Sequence, residues 1–296
     1  MKNTIFRGIG TALITPMKEN GAVDLDAMGN LIDWQLECGI DAFIVCATTG
    51  EAPTLADDEH IDTIKFAVKR VAGRVPIIAG TGSNYTEHAV EMSKEAANAG
   101  ADALLCVTPY YNKCTQQGLV ENYYRIADST ELPMIVYNVP GRTGVNIKPD
   151  TYARLAEHDC IVAIKEANGN IGEIVETMSK VTGKLDLYSG NDDQIVPLMS
   201  MGGIGCISVF SNMMPREAKM ITDRFFAGDV KGAAEIQMKY KALIDALFCE
   251  VNPIPVKAAL AAMGICGETM RLPLTPMGEE NRKKLLSLMK EAGLPV

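Results

Sequence analysis

The chain has no run of about 18 or more apolar residues, so it offers no membrane-spanning helix. It lacks a positive excess: 28 Lys and Arg stand against 37 Asp and Glu, a net charge of −9. That excludes a broad nucleic-acid or anionic-membrane surface, although a few local cations can still bind a small anion. Its eight cysteines form no CxxC pair and no cluster with metal-ligand spacing. Several sit inside apolar runs, where cysteine behaves as a small hydrophobe, and a reducing, cytoplasmic setting is expected. No GxGxxG follows the first apolar run, and GTGSN lacks the Gly-Lys-Ser/Thr of a phosphate loop. Histidine is scarce, with only His60, His88 and His158, all expected in helical segments away from strand ends, so a metal site is not expected. The opening FRGIGTALITP could pass for a weak signal peptide, but it carries Arg7 and lacks a clear cleavage site; a first strand is the expectation.

What the chain does have is repetition. Eight short apolar runs end in glycine or polar residues: GIGTALIT, DAFIVCATT, VPIIAGTG, ADALLCVTP, LPMIVYN, IVAIK, LDLYSG and GIGCIS. Their ends, near Thr15, Thr48, Thr81, Thr108, Tyr137, Lys165, Gly190 and Ser208, lie about 18 to 33 residues apart, mostly room for a strand, a loop and a helix. The runs are continuously apolar, as strands covered on both faces should be. Between them the period becomes helical: LADDEHIDTIKFAVKRV spaces Ile61, Ile64, Ala67, Val68 and Val71 on one face, with Thr54 and Asp57 as a possible capping box. Gly39 and Gly100 stand where helices should stop. CGIDAFIV and AGADALLC echo each other about two units apart. The expected fold is an α/β (β/α)8 TIM barrel over residues 1–225, with a C-terminal helical extension over 226–296. The extension is apolar in part, which suggests packing against another subunit.

Barrel active sites lie where the strands end. The ends here are rich in hydroxyls and hold one lysine. Strand alternation puts Lys165 on one face with Ala163, toward the barrel interior, and puts Val162 and Ile164 on the other. An ammonium there is poorly solvated, so its pKa should fall and a neutral amine could attack a carbonyl. A lysine paired with Glu166, or turned to water, is the alternative that position alone leaves open. By the same parity Tyr137 faces inward with Ile135, as a proton relay or as a core tyrosine. The Thr48-Thr49-Gly50-Glu51 turn could hold a carboxylate through backbone N–H groups, and Arg142 between two glycines could clamp one.

Taken together, GTALITP, TTGE, GTGSN, TPYYNK, YNVPGRTG, KEANGN, YSGND, NPIPVK and LPLTP resemble, over almost the whole chain, the 4-hydroxy-tetrahydrodipicolinate synthase family. That family sits with N-acetylneuraminate lyase among the pyruvate-dependent class I aldolases. The resemblance implies condensation of pyruvate with L-aspartate 4-semialdehyde. It makes Lys165 the lysine of a pyruvate imine, Tyr137, Thr48 and Tyr111 a proton relay, and Thr49 a holder of the pyruvate carboxylate. Gly190 and Ile207 match backbone contacts near pyruvate, and Arg142 the receiver of the semialdehyde carboxylate. Tyr111 would come from a neighbouring subunit, in a tetramer built as a dimer of dimers. No cofactor is implied beyond the covalent imine. Sialic-acid lyases usually lack the arginine of GRTG, so other pyruvate-dependent aldolases are the runner-up, and a non-catalytic keto-acid binder is the alternative of another class. The chain departs from the lysine-sensitive members: Ala52, Pro53, Asp57 and His88 differ from their pattern while His60, Asn84 and Tyr110 match, so inhibition by lysine is expected to be weak or absent.

Overall fold

The eight apolar runs form eight parallel strands in a computed structural model that describes residues 2–296. They are β1 (Gly8–Ala12), β2 (Ala42–Val45), β3 (Ile77–Gly80), β4 (Ala103–Val107), β5 (Met134–Asn138), β6 (Ile161–Glu166), β7 (Asp186–Ser189) and β8 (Gly205–Ser208). Each pairs with its neighbours in sequence, and β8 pairs with β1, closing a barrel. Helices follow each strand: α1 (Leu25–Glu37), α2 (Asp57–Val71), α3 (Thr86–Asn98), α4 (Gln116–Ala127), α5 (Pro140–Thr143) with α6 (Pro149–Leu155), α7 (Ile171–Val181), α8 (Ile195–Met199) and α9 (Pro215–Phe226). The extension adds α10 (Val230–Lys239), α11 (Lys241–Ala246), α12 (Ile254–Ala262) and α13 (Glu279–Glu291).

Strand alternation divides the core in two. Ile44, Ile78, Leu105, Ile135, Tyr137, Ala163 and Ile207 fill the barrel interior. Their strand neighbours Val45, Ala79, Leu104, Val136, Ile164 and Cys206 pack outward under the helices. Tyr188 stacks on Phe6, ring centroids 4.3 Å apart, and its hydroxyl donates to the Phe6 carbonyl at 2.6 Å. Gly39 and Gly100 end α1 and α3 at φ +83 and +89, a conformation costly for residues with a Cβ.

Two expectations fail locally. Val162 joins the interior cluster, because the β5–β6 register passes from Met134 opposite Ile161 to Ile135 opposite Ala163 and leaves Val162 in a bulge. The capping box does not form: Ala56 occupies the N-cap of α2 without a side-chain bond, and the Thr54 hydroxyl turns back to the Glu51 carbonyl at 3.0 Å. In the extension, α10 and α11 meet at Tyr240. On α12, Ile254, Val256, Ala258, Ala259 and Leu260 are buried within the chain itself.

Candidate active site

Tyr137 and Lys165 end adjacent strands in direct register. The lysine Nζ lies 4.1 Å from the centroid of the Tyr137 ring. Lys165 is 5% exposed. Loss of hydration lowers its pKa to about 8, an effect that the fields of Cys206 and Asp192 partly oppose and that Arg142 reinforces. The proposed Glu166 partner is not one. Glu166 points to the other face of β6, where its carboxylate accepts from Tyr152 Oη at 2.8 Å, Asn138 Nδ2 at 3.0 Å and the Asn168 N–H at 2.9 Å. Burial raises its pKa to about 7. Strand parity is the physical reason: past the bulge at Val162 the residues of β6 alternate faces, so Lys165 and Glu166 point apart.

Gly190 backs the lysine. A Cβ there would stand 2.9 Å from Ala167 Cβ, 3.1 Å from the Glu166 carbonyl and 3.2 Å from Lys165 Cε. Only a glycine lets β7 approach the nucleophile this closely. Ile207 is fully buried, inward-facing on β8. Burial pushes the Tyr137 phenol up to about 12, and the Arg142 charge, then the nearby Thr48 hydroxyl, offset part of that rise. A neutral phenol beside an amine can donate and recover a proton.

Thr49 is buried, and its hydroxyl oxygen accepts from Asn252 Nδ2 at 3.0 Å. Arg142, on the one-turn α5, donates from Nη2 to the Asn252 carbonyl at 3.3 Å. Thr48, Thr49, Tyr137, Arg142, Lys165, Gly190 and Ile207 therefore converge on one end of the barrel. Tyr111 does not join them within the chain. It is 92% exposed and holds φ +70, a left-handed conformation unusual for tyrosine.

Two parts of the site carried no assigned role in the sequence. Asp192, just after β7, is buried and accepts from the Val209 and Phe210 N–H groups at 2.9 and 3.0 Å, with its pKa raised mainly by burial. An acid directly after a strand-ending Ser-Gly-Asn was its only signal. Asn252 and Lys257 come from the extension, more than 200 residues from their partners Thr49 and Glu51. No local pattern announces such a contact.

Two of the three histidines differ from expectation, while His88 lies in α3 as expected. His60 on α2 does reach a strand end, its Nε2 2.9 Å from the Gly80 carbonyl. His158 lies in the turn before β6, with Asp128 at 3.0 Å. His88 pairs with Asp57 at 3.0 Å.

The profile of the Dihydrodipicolinate synthetase family matches residues 5–292. A 4-hydroxy-tetrahydrodipicolinate synthase of Lachnoclostridium phytofermentans is 53% identical over 291 residues, 98% of this chain and 99% of the relative. The enzyme of that name from Caldicellulosiruptor bescii is 51% identical over 293 residues, 99% of both chains. The crystal structure of the chloride-inhibited dihydrodipicolinate synthase from Acinetobacter baumannii, complexed with pyruvate, superposes with a TM-score of 0.96 at 44% identity, covering 98% of this chain and 100% of that one.

Proposed function

The chain belongs to the dihydrodipicolinate synthetase family, and on that premise we propose how its residues carry the reaction. It is an aldolase-type lyase that condenses pyruvate with L-aspartate 4-semialdehyde to 4-hydroxy-tetrahydrodipicolinate, the first committed step toward diaminopimelate and lysine. The neutral Lys165 amine adds to the pyruvate ketone, and loss of water leaves an imine. The imine draws electrons from the adjacent methyl, which gives up a proton to become an enamine. The enamine carbon attacks the semialdehyde carbonyl, and Tyr137, relayed through Thr48, protonates the new alkoxide. The amino group of the semialdehyde then adds to the imine carbon, closes the ring and expels Lys165 as an amine. The covalent adduct is the electron sink, so the route uses no cofactor and no metal.

The observation that carries this reading is a buried lysine with its pKa brought to about 8, beside a phenol and without a carboxylate paired to it. About a tenth of such an amine is neutral at pH 7, against about one in three thousand for an ordinary lysine. Thr49 supplies a hydroxyl donor for the pyruvate carboxylate, with Gly190 and Ile207 as walls. Arg142 supplies a cation for the carboxylate of the semialdehyde. Exposed Tyr111 completes the relay in a neighbouring copy, within a tetramer of two dimers in the cytoplasm. Among the described residues no helix is long and apolar enough to cross a membrane.

Steady-state assays with pyruvate and a panel of aldehydes test the assignment. L-aspartate 4-semialdehyde should be the preferred partner, and Arg142→Ala should raise its KM with little change in that of pyruvate. Preference for N-acetylmannosamine, or an Arg142→Ala variant indifferent to the aldehyde, would overturn it.

A further inference from the structure

The turn that carries Thr48 and Thr49 is bracketed by two residues in the left-handed region, Cys46 at φ +54 and Glu51 at φ +55. Side chains with a Cβ disfavour that conformation, so something outside the turn must hold it. The holders come from the C-terminal extension. Lys257, fully buried on α12, places Nζ 2.6 Å from Glu51 Oε1 and 3.1 Å from the Thr15 carbonyl. The Thr15 hydroxyl in turn donates to the Gly50 carbonyl at 2.7 Å. The Arg271 N–H reaches the other Glu51 oxygen at 3.3 Å. The turn is thus tied from the loop after β1 and from the extension at once.

Asn252 opens the same stretch of the extension. Its Nδ2 donates to Thr49 Oγ1 at 3.0 Å, while its carbonyl receives Arg142 at 3.3 Å. A hydroxyl has one proton and two lone pairs. The bond from Asn252 occupies a lone pair and leaves the Thr49 proton free for an anion. The extension therefore touches both groups assigned to substrate carboxylates.

We propose that the segment from Asn252 to Lys257 is a positioning clamp for pyruvate binding: Asn252 fixes the Thr49 hydroxyl as a donor, and Lys257 fixes the turn through Glu51. The proposal rests on the imine reading above, because it assigns Thr49 to the pyruvate carboxylate. It makes the extension part of the site rather than a covering of the barrel.

Asn252→Asp reverses the donor. The Thr49 proton would turn to the new carboxylate, which also repels pyruvate. The KM for pyruvate should rise tenfold or more, while kcat at saturating pyruvate and the KM for the semialdehyde move less than threefold. The double variant Glu51→Gln/Lys257→Met removes the tether without leaving a buried charge, and should raise the same KM about fivefold. Circular dichroism establishes folding for each, and if one does not fold the other decides. Variants that fold and keep a pyruvate KM within twofold of the wild type overturn the clamp and leave the imine reading standing. A wild-type chain that traps no pyruvate on reduction overturns that reading, and the clamp with it.

Discussion

Two lysines are buried among the described residues, one in the barrel and one in the extension, and they sit in opposite electrostatic worlds. Lys257 is met by Glu51 at 2.6 Å and by a backbone carbonyl. Lys165 has an aromatic face at 4.1 Å, and its neighbour Glu166 is turned away to Tyr152 and Asn138. Burial lowers the pKa of both, but Glu51 opposes the fall at Lys257 by charge and hydrogen bond together. Both stay below the ordinary lysine value, and Lys165, which no carboxylate pairs, comes to about 8. Burial alone thus does not make a lysine a nucleophile; burial without a paired carboxylate does.

The largest expected effect is chemical. Lys165→Met should abolish adduct formation with pyruvate and lower kcat by roughly 10³-fold or more, because it removes the amine assigned to the imine; steady-state kinetics and adduct mass check both. Lys257→Met should act on stability instead. Leaving Glu51 charged and unpaired costs about 3–5 kcal/mol, and thermal melting should show the loss, with most of it recovered in Glu51→Gln/Lys257→Met. An equal loss of adduct per folded molecule at saturating pyruvate in both single variants would erase the distinction between the lysines.

The pH dependence is the next test. The neutral amine is the reactive form, and its fraction grows about tenfold per pH unit below the pKa. The rate of imine trapping should therefore rise with pH and level off above about 8, the value burial gives Lys165. Asp192→Asn should move that inflection downward, because the Asp192 charge favours the protonated lysine. The smallest expected effect concerns free lysine in solution. His88, one of the positions read as departing from the lysine-sensitive pattern, is paired with Asp57 at 3.0 Å. A histidine holds an ammonium poorly at neutral pH. Titration should show little inhibition at submillimolar lysine.

The barrel was legible in the sequence because its signal is local and repeated. Eight apolar runs at strand-plus-helix intervals admit few other topologies. Lys165 and Tyr137 were legible for a related reason: strand parity gives direction as well as position. The same rule misplaced Val162, since a bulge breaks parity and leaves no local mark. The roles of Glu166 and Lys257 depend on which acid meets which lysine across the chain, a choice that sequence order left open. Asn252 reaches Thr49 across 203 residues, beyond any periodicity.

Mass measurement after incubation with pyruvate and borohydride, followed by peptide mapping, bears most directly on the contrast between the two lysines. A single reduced pyruvate adduct on Lys165, with Lys257 unmodified, is the expected result. Folded protein that takes no adduct, or takes it on another lysine, would contradict the assignment of Lys165 as the nucleophile.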